Sequence, residues 1–481
     1  MRFDSQRVIY FFEKISEIPR GSGHEKEVSD YIANFAKEKG LFCIQDEQNN
    51  IIIKKSASEG YENKKPIIIQ GHMDMVCEKE PSSEHDFEKD PLKLIYKGDY
   101  IYADKTTLGG DDGIAVAMGM ALLDDDSLKH PPLEIVFTTD EEVGMNGANK
   151  IDCSQLSAKT IINIDSEVEG VFTASCSGGM KVTSEIPVKL ENNKYEKSYK
   201  IEMSGFRGGH SGIEIDKQRA NANKLMARLL NAIDDKCELG LNVIGGGAKD
   251  NAIPIYSYAI ISCGEDVYEE ICRICKEEEK IYLNEYRNTD KDIKIKISEC
   301  EKAEKCFCDE DKKKIETAIL LMPNGVIALS GDIKGVVETS NNLGIISFSG
   351  DKVYLGCLVR SSVITKKYHI YEQIRLLTEA FGGKASYKGN YPSWEYKEDS
   401  PIRDVFVKTY EEMFGEKPVI DIIHAGLECG IFSEKIEGAD IISLGPNIID
   451  IHTPNEHISI SSIERTWNLL LEVLEKFESI G

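Results

Sequence analysis

The sequence predicts an α/β protein: one domain with a mostly parallel mixed sheet flanked by helices, interrupted by an inserted α+β domain. Three observations predict it. Short apolar runs such as "KPIIIQ", "PPLEIVFTT" and "KTIINID" alternate with amphipathic segments, as strands joined through helices do. From about residue 180 to 390 the texture changes to strands of alternating polarity between long helical patterns. After "YPSW" the first texture returns, so the domains are expected at 1–180 with 391–481, and at 181–390.

Taken in order, "FDSQRVIYFFEKI" and "SGHEKEVSDYIANFAKEKG" carry helical periodicity, and Ser22 with Glu25 forms a capping-box pattern before the second. "LFCIQ", "NNIIIKK" and the run ending at Gln70 read as strands, "GIAVAMGMALLDDD" as a helix, and "PPLEIVFTT" and "KTIINID" as strands. In the insert, strands "KSYKIEMSG" and "PIYSYAIISC" are interleaved with helices "DKQRANANKLMARLLNAI" and "VYEEICRICKEEEKIYLNEY". Helix "DKKKIETAILLM", strands "NLGIISFSG" and "KVYLGCLVRS" and helix "HIYEQIRLLTEAF" come next in a similar order, which suggests an internal duplication. The tail reads helix, strand, helix and the apolar strand "IISLGP".

Composition narrows the function. With 41% hydrophobic and 29% charged residues among 481, the chain is that of a soluble globular protein. Lys plus Arg is 58 and Asp plus Glu 83, so the net charge of 58 − 83 = −25 argues against nucleic acid and anionic membranes as partners. No apolar stretch approaches the length of a membrane span and the N-terminus lacks a signal-peptide pattern, so a cytoplasmic protein is expected. Thirteen cysteines without an export signal point to reduced thiols. The Cys272/Cys275 pair, with Cys306 and Cys308 nearby, lies in an amphipathic helix pattern and does not read as a zinc knuckle.

Several apolar runs end on a metal-ligand type. His72 comes after Gln70, Glu141 and Glu142 after Phe137, Asp165 after Ile164 and His452 after Ile451, and Asp111 sits between a glycine pair and a helix. Sites in open α/β sheets form beyond the carboxyl ends of the strands. Four carboxylates gathered there cannot all ionise cheaply, and two divalent ions would cancel their charge. Imidazole and carboxylate ligands suit zinc, with cobalt or manganese as alternatives. We assign His72, Asp111 and Asp165 to one ion and Asp111, Glu142 and His452 to the other, with Asp111 as the bridge. Asp74 is placed to orient His72. Adjacent side chains on extended backbone point opposite ways, so Glu142 binds metal while Glu141 faces the water as general base.

The blocks "QGHMDMVCEK", "TTLGGDDGIAVAM", "FTTDEEVGMNGA", "INIDSEVEG", "GFRGGHSGIEI", "NAIPI", "HAGLECGIF" and "GPNIIDIHTPNE" resemble, in their order, those of the cytosolic aminoacyl-histidine dipeptidases among the dinuclear zinc peptidases. The resemblance implies the same five metal ligands, Glu141 as the base, and a lid made by the inserted domain. It also implies that His210 contacts the substrate oxyanion or carboxylate, and that Asn251 and Arg360 grip the substrate, the arginine by a fork for a C-terminal carboxylate. Relatives tend to carry a basic residue before that asparagine, where this chain has Asp250. "HAGLECG" places His424 and Glu428 one helical turn apart, either near the site or as an i, i+4 structural pair, and both are left out of the metal shell.

The expected activity is metal-dependent hydrolysis of unblocked dipeptides, Xaa-His and broader, by a metal-bridged water with Glu141 as base. The alternatives are an N-acyl amino acid deacylase or tripeptidase of the same architecture, or a catalytically silent binding protein. A small peptide is the expected partner, and a homodimer through the lid the expected assembly.

Overall fold

A computed structural model describes residues 4–477. The chain divides into two compact units: the first comprises the chain up to Cys176, Tyr396–Ile422 and Leu427 onwards, the second Ser177–Glu395 and Ile423–Gly426. The first unit opens with α1 (Gln6–Ser16), α2 (Lys26–Glu38), β1 (Phe42–Gln45), β2 (Ile51–Lys55), β3 (Ile67–His72), α3 (Gly110–Asp124), β4 (Leu133–Thr138), β5 (Thr160–Asn163) and β6 (Val171–Cys176). The second holds β7 (Gly178–Pro187), β8 (Lys197–Ser204), α4 (Ala222–Asp234), β9 (Leu239–Gly246), β10 (Ser257–Cys263), α5 (Glu265–Glu285), β11 (Lys294–Cys300), α6 (Asp309–Leu321), β12 (Val337–Ser349), β13 (Lys352–Ser361), α7 (Ile364–Ala380) and β14 (Lys384–Tyr391). The first unit resumes with α8 (Pro401–Phe414), β15 (Val419–Ile423), α9 (Glu428–Lys435), β16 (Asp440–Ser443) and α10 (Ile460–Lys476).

In the first unit eight strands order as β1-β2-β4-β3-β5-β16-β6-β15. The centre is parallel, β3 pairing with β4 and β5, and β16 with β5, while β1, β2 and β6 join antiparallel. Every residue of β3 and β4 is buried, which is why these strands read as unbroken apolar runs rather than as alternation. Phe11 and Ile15 of α1, Met118 and Leu122 of α3 and Trp467 and Leu470 of α10 complete this core. Among the described residues no helix is long and apolar enough to cross a membrane.

The expected capping box does not form. Helix α2 starts at Lys26 with no side-chain cap. The Ser22 hydroxyl donates instead to Asp74 Oδ2 at 2.8 Å, and Glu25 Oε1 accepts from the Gly23 and Asp140 N–H groups at 3.0 Å each. The Asp74 and Asp140 loops thus offer these two side chains tertiary partners in place of the local cap. Helix α4 likewise begins later than its periodicity suggests, at Ala222, because the Asn221 side chain caps it by accepting from Asn223 and Lys224 N–H.

The second unit is built on a sheet ordered β11-β8-β10-β9-β12-β13-β7-β14, with Gly325–Leu329 added alongside β12. Its two halves repeat one plan. β8-α4-β9-β10-α5-β11 and β7-α6-β12-β13-α7-β14 have the same order of elements and, outward from the β9/β12 seam, the same order of strands. The first copy lies in the chain between the first strand and the first helix of the second copy. Residues 423–426, expected with the first domain, belong to this unit, because the Ser177 N–H donates to the Ile423 carbonyl at 3.1 Å and His424 is held between the hydroxyls of Ser177 (2.9 Å) and Ser340 (2.7 Å).

Helix α6 buries one carboxyl at a cost. Glu316 is fully buried with neither oxygen hydrogen-bonded, and burial, aided by Asp234, pushes its pKa up to about 7. A carboxyl raised in the folded state contributes its stability fully below its unfolded value near 4.5 and loses it as pH rises towards 7. Glu316→Gln is therefore expected to stabilise the protein by roughly 2–4 kcal/mol at pH 8 relative to its effect at pH 4.5. Thermal unfolding at the two pH values measures the difference, and an equal shift at both would contradict it.

Candidate metal centre

The parallel strands deliver their polar residues on one edge. His72 ends β3, the Asp140–Glu142 turn comes after β4 and Asp165 after β5, so all three emerge at carboxyl ends in matched register. Asp111 arrives from the loop that opens α3, joined to Asp112 by a cis peptide, and His452 from the segment before α10, in a left-handed conformation (φ 60°). Gly71 makes this possible: a Cβ there would meet Ala115 Cβ at 2.3 Å and Asp112 Oδ2 at 2.4 Å, so only glycine lets α3 approach β3 this closely.

Asp111 is shared between the two imidazoles. Its Oδ1 lies 3.2 Å from His72 Nε2 and its Oδ2 3.3 Å from His452 Nε2. Asp165 Oδ1 is 3.6 Å from the same His72 nitrogen, and Glu142 Oε1 is 2.8 Å from that of His452. Two ligand atoms each about 2.1 Å from a tetrahedral ion are roughly 3.4 Å apart, so the spacing and chemistry of these donors suit a bound divalent cation. Among the described residues three groups hold ligand atoms within 4.8 Å of one another: His72, Asp112 and Asp165; His72, Glu141 and Glu142; and Asp111, Glu142 and His452, so the second assigned trio is one of them, whereas in the first Asp112 stands where the assignment has Asp111. Asp112, absent from the sequence assignment, thus also comes within reach, although its Oδ2 already accepts the His72 N–H at 3.2 Å.

Asp74 organises the site from behind. His72 Nδ1 faces the Asp74 carbonyl at 3.1 Å and Oδ1 at 3.3 Å, two acceptors, so Nδ1 carries the proton and Nε2 is left to ligate. The same carboxylate accepts the N–H of Glu141 (3.0 Å) and of Glu142 (3.2 Å), which fixes the turn that carries both glutamates.

The field is strongly negative. Burial works against protonated His72, but Asp111, Asp165 and Asp74 overcome it and hold its pKa well above the usual value. Hydrogen bonds to Asp111 and Glu142 push His452 up to about 10. Burial raises Asp165 to about 7 and Glu141 well above the carboxylate range, Asp165, Glu428 and Glu142 adding to the latter. A field that keeps protons on both rings favours divalent cations that displace them.

One layer below lies a buried polar row that sequence reasoning missed. Asn163 Nδ2 donates to Gln70 Oε1 at 2.7 Å, Gln70 Nε2 to Glu428 Oε2 at 2.6 Å, and Thr138 Oγ1 to the same oxygen at 2.5 Å. Gln70 and Asn163 stand two residues before His72 and Asp165, facing each other across β3 and β5. The available signal was a lone amide at the end of each apolar run, "IIIQGH" and "IINID". Glu428, fully buried and raised to about 7 by that burial, is not a helical partner of His424: helix α9 begins at Glu428, while His424 packs in the second unit, its pKa lowered to about 3 by burial and by Arg360.

The second unit holds the remaining predicted residues. Gly209–His210 pairs with Ala252–Ile253, and the Ser211 N–H donates to the Asn251 carbonyl at 2.9 Å, so His210 and Asn251 are neighbours on one ribbon. His210 Nδ1 accepts the N–H groups of Gly212 and Ile213 at 3.3 Å each, which leaves the proton on Nε2, and burial and Arg360 lower its pKa, so the ring is a neutral donor. Arg360, on β13, donates Nη1 to the Tyr391 hydroxyl at 2.7 Å while its buried Nε has no hydrogen-bond partner. Asp250 is paired with Lys181 at 3.2 Å, which neutralises the carboxylate that stands where relatives tend to carry a basic residue. A cavity of about 710 Å³ opens here, lined by Arg207, His210, Lys249, Asn251 and Ile255 among others. All thirteen cysteines are free thiols; Cys275 is buried and Cys272 half-buried on α5.

Residues 68–476 match the sequence profile of peptidase family M20/M25/M40. The chain belongs to this peptidase family. As an M20 peptidase it is 36% identical over 466 residues to the cytosol non-specific dipeptidase of Escherichia coli (strain K12), covering 97% of this chain and 96% of that one. The crystal structure of aminoacylhistidine dipeptidase from Vibrio alginolyticus superimposes with a TM-score of 0.93 at 33% identity, over 100% of this chain and 98% of the other. A tripeptidase from Staphylococcus aureus subsp. aureus Mu50, at 17% identity and a TM-score of 0.56 over 99% of both chains, shares the M20 fold.

Proposed function

We propose that this M20 chain is a metal-dependent dipeptidase that hydrolyses the peptide bond of unblocked dipeptides, Xaa-His among them. The observation that carries the reading is the division of the Asp111 carboxylate between two imidazoles, each with a further carboxylate at 2.8 to 3.6 Å. The names of the Escherichia coli and Vibrio alginolyticus relatives, both dipeptidases, support the substrate class.

In this reading His72, Asp111 and Asp165 hold one divalent ion and Asp111, Glu142 and His452 a second, zinc suiting the donors best and cobalt or manganese being alternatives. Ions held there would supply Lewis acidity to the scissile carbonyl and acidify a water. Glu141 takes the proton from that water and returns it to the departing amine, a role suited to a carboxylate whose proton affinity burial has raised. Asp74 keeps His72 in the ligating tautomer. From the second unit, the lid of this proposal, His210 offers its Nε2–H to the developing oxyanion, and Asn251 and Arg360 bind the substrate, the guanidinium at its carboxylate. A cytoplasmic enzyme, homodimeric through the second unit, belongs to the same proposal.

Chelation is expected to abolish hydrolysis and added zinc, cobalt or manganese to restore it. Reconstituted protein should cleave dipeptides faster than tripeptides and N-acetyl amino acids. Preference for N-acetyl substrates would make it a deacylase, preference for tripeptides a tripeptidase, and silence across the whole panel a binding protein.

A further inference from the structure

Arg20 and Glu456 belong to none of the converging groups, yet both are charges buried to 2% and 3% exposure directly behind the backbone that carries those groups. Glu456 Oε2 accepts the N–H of Leu108 at 2.8 Å and of Gly109 at 3.0 Å, and its Oε1 those of Gly110 at 2.7 Å and Asp111 at 3.4 Å. Four consecutive donors converge on one carboxylate because Gly109, at φ 64°, turns the chain into a concave run. Glu456 lies four residues beyond His452, so it ties the Asp111 loop to the His452 segment. Arg20 ties the same loop on its other side: Nη1 donates to the carbonyls of Met73 (3.0 Å) and Asp74 (3.3 Å), and Nη2 to that of Gly109 (2.5 Å). A Cβ on Gly109 or Gly113 would lie 2.5 Å from that Nη2, so both glycines make room for the guanidinium.

We propose that Arg20 and Glu456 are positioning residues of the metal centre, setting the Asp111 carboxylate between the two imidazoles by clasping its backbone to the Asp74 loop and the His452 segment. The proposal rests on the metal-centre reading above. Both residues spend their side-chain hydrogen bonds on backbone groups. Each acts through Asp111, whose two oxygens must face opposite partners at once, a demand that a few tenths of an ångström of loop drift would break. Glu456→Gln keeps the size of the side chain but turns an amide –NH2 towards backbone donors. Arg20→Lys keeps the charge but cannot span three carbonyls on two separate loops.

The test is titration of the metal-free proteins with Zn²⁺ under chelator competition, with thermal unfolding of the same metal-free samples and steady-state kinetics at saturating zinc. Both variants are expected to fold and to bind zinc about 10–100-fold more weakly than the wild type, with kcat reduced and KM for a dipeptide unchanged. Wild-type affinity and kcat in both variants would overturn the proposal. So would a loss of affinity that merely tracks the fraction unfolded. Should Glu456→Gln fail to fold, Glu456→Asp, which keeps the charge and shortens the reach, is judged by the same criteria. Wild-type protein that binds no zinc at all would sink the metal-centre reading itself, a result distinct from variants that bind as tightly as the wild type.

Discussion

Glu141→Gln is expected to lower kcat by about 10²–10⁴-fold, the usual contribution of a positioned proton-transfer group, while the metal content of the protein stays at the wild-type value. The amide has nearly the shape of the carboxylate, and the turn that carries it is held from the backbone, through the Glu141 and Glu142 N–H groups on Asp74, so the substitution removes a proton acceptor without moving its neighbours. Metal analysis and steady-state kinetics on one preparation separate the two effects. Near-normal kcat in this variant would remove Glu141 from the role of base.

Asp111→Ala should act on the metals rather than on the proton. Because its two oxygens face His72 and His452 separately, removing it takes a ligand from both sites, and the protein is expected to lose both ions and all measurable activity. The loss in affinity should exceed the roughly 10–100-fold that outer partners of a metal site typically cost. Glu142→Ala, by contrast, should spare the site around His72 and Asp165. If Asp111→Ala retained two equivalents at wild-type affinity, the bridging assignment would fail.

Much of this was legible in the sequence because the first unit obeys a rule that needs no coordinates: buried parallel strands read as apolar runs, and the residues just past their carboxyl ends stand at the site. His72, Asp165 and the Glu141–Glu142 pair were found in that way. His452 was read in the same way, after the apolar Ile451, and Asp111 from its place between a glycine pair and a helix, and the block resemblance implies the same set. Ser22 and Glu25 misled, because a capping box is a local pattern and the Asp74 and Asp140 loops compete for the same side chains. Asp112 was not legible as a neighbour of the centre, since nothing in its own segment records which strand it packs beside, while Glu428, read either as near the site or as a helical partner of His424, bonds Gln70 and Thr138 and opens a helix that does not contain His424. The repeat in the second unit showed as a similar order of helices and strands, but its shared strand order appears only when the sheet is assembled.

That repeat sets an order of events as the polypeptide leaves the ribosome. The inner copy, from Lys197 to Cys300, emerges as one uninterrupted stretch and has all its pairing partners at hand. The outer copy must hold its first strand open across the whole inner one, until Lys352 can be laid beside Pro187, about 165 residues later along the chain. Closing so long a loop is slow compared with local pairing. The nested module is therefore expected to pair first, and lesions in β13 or β14 should leave a half-finished sheet with a bare edge rather than an unfolded coil.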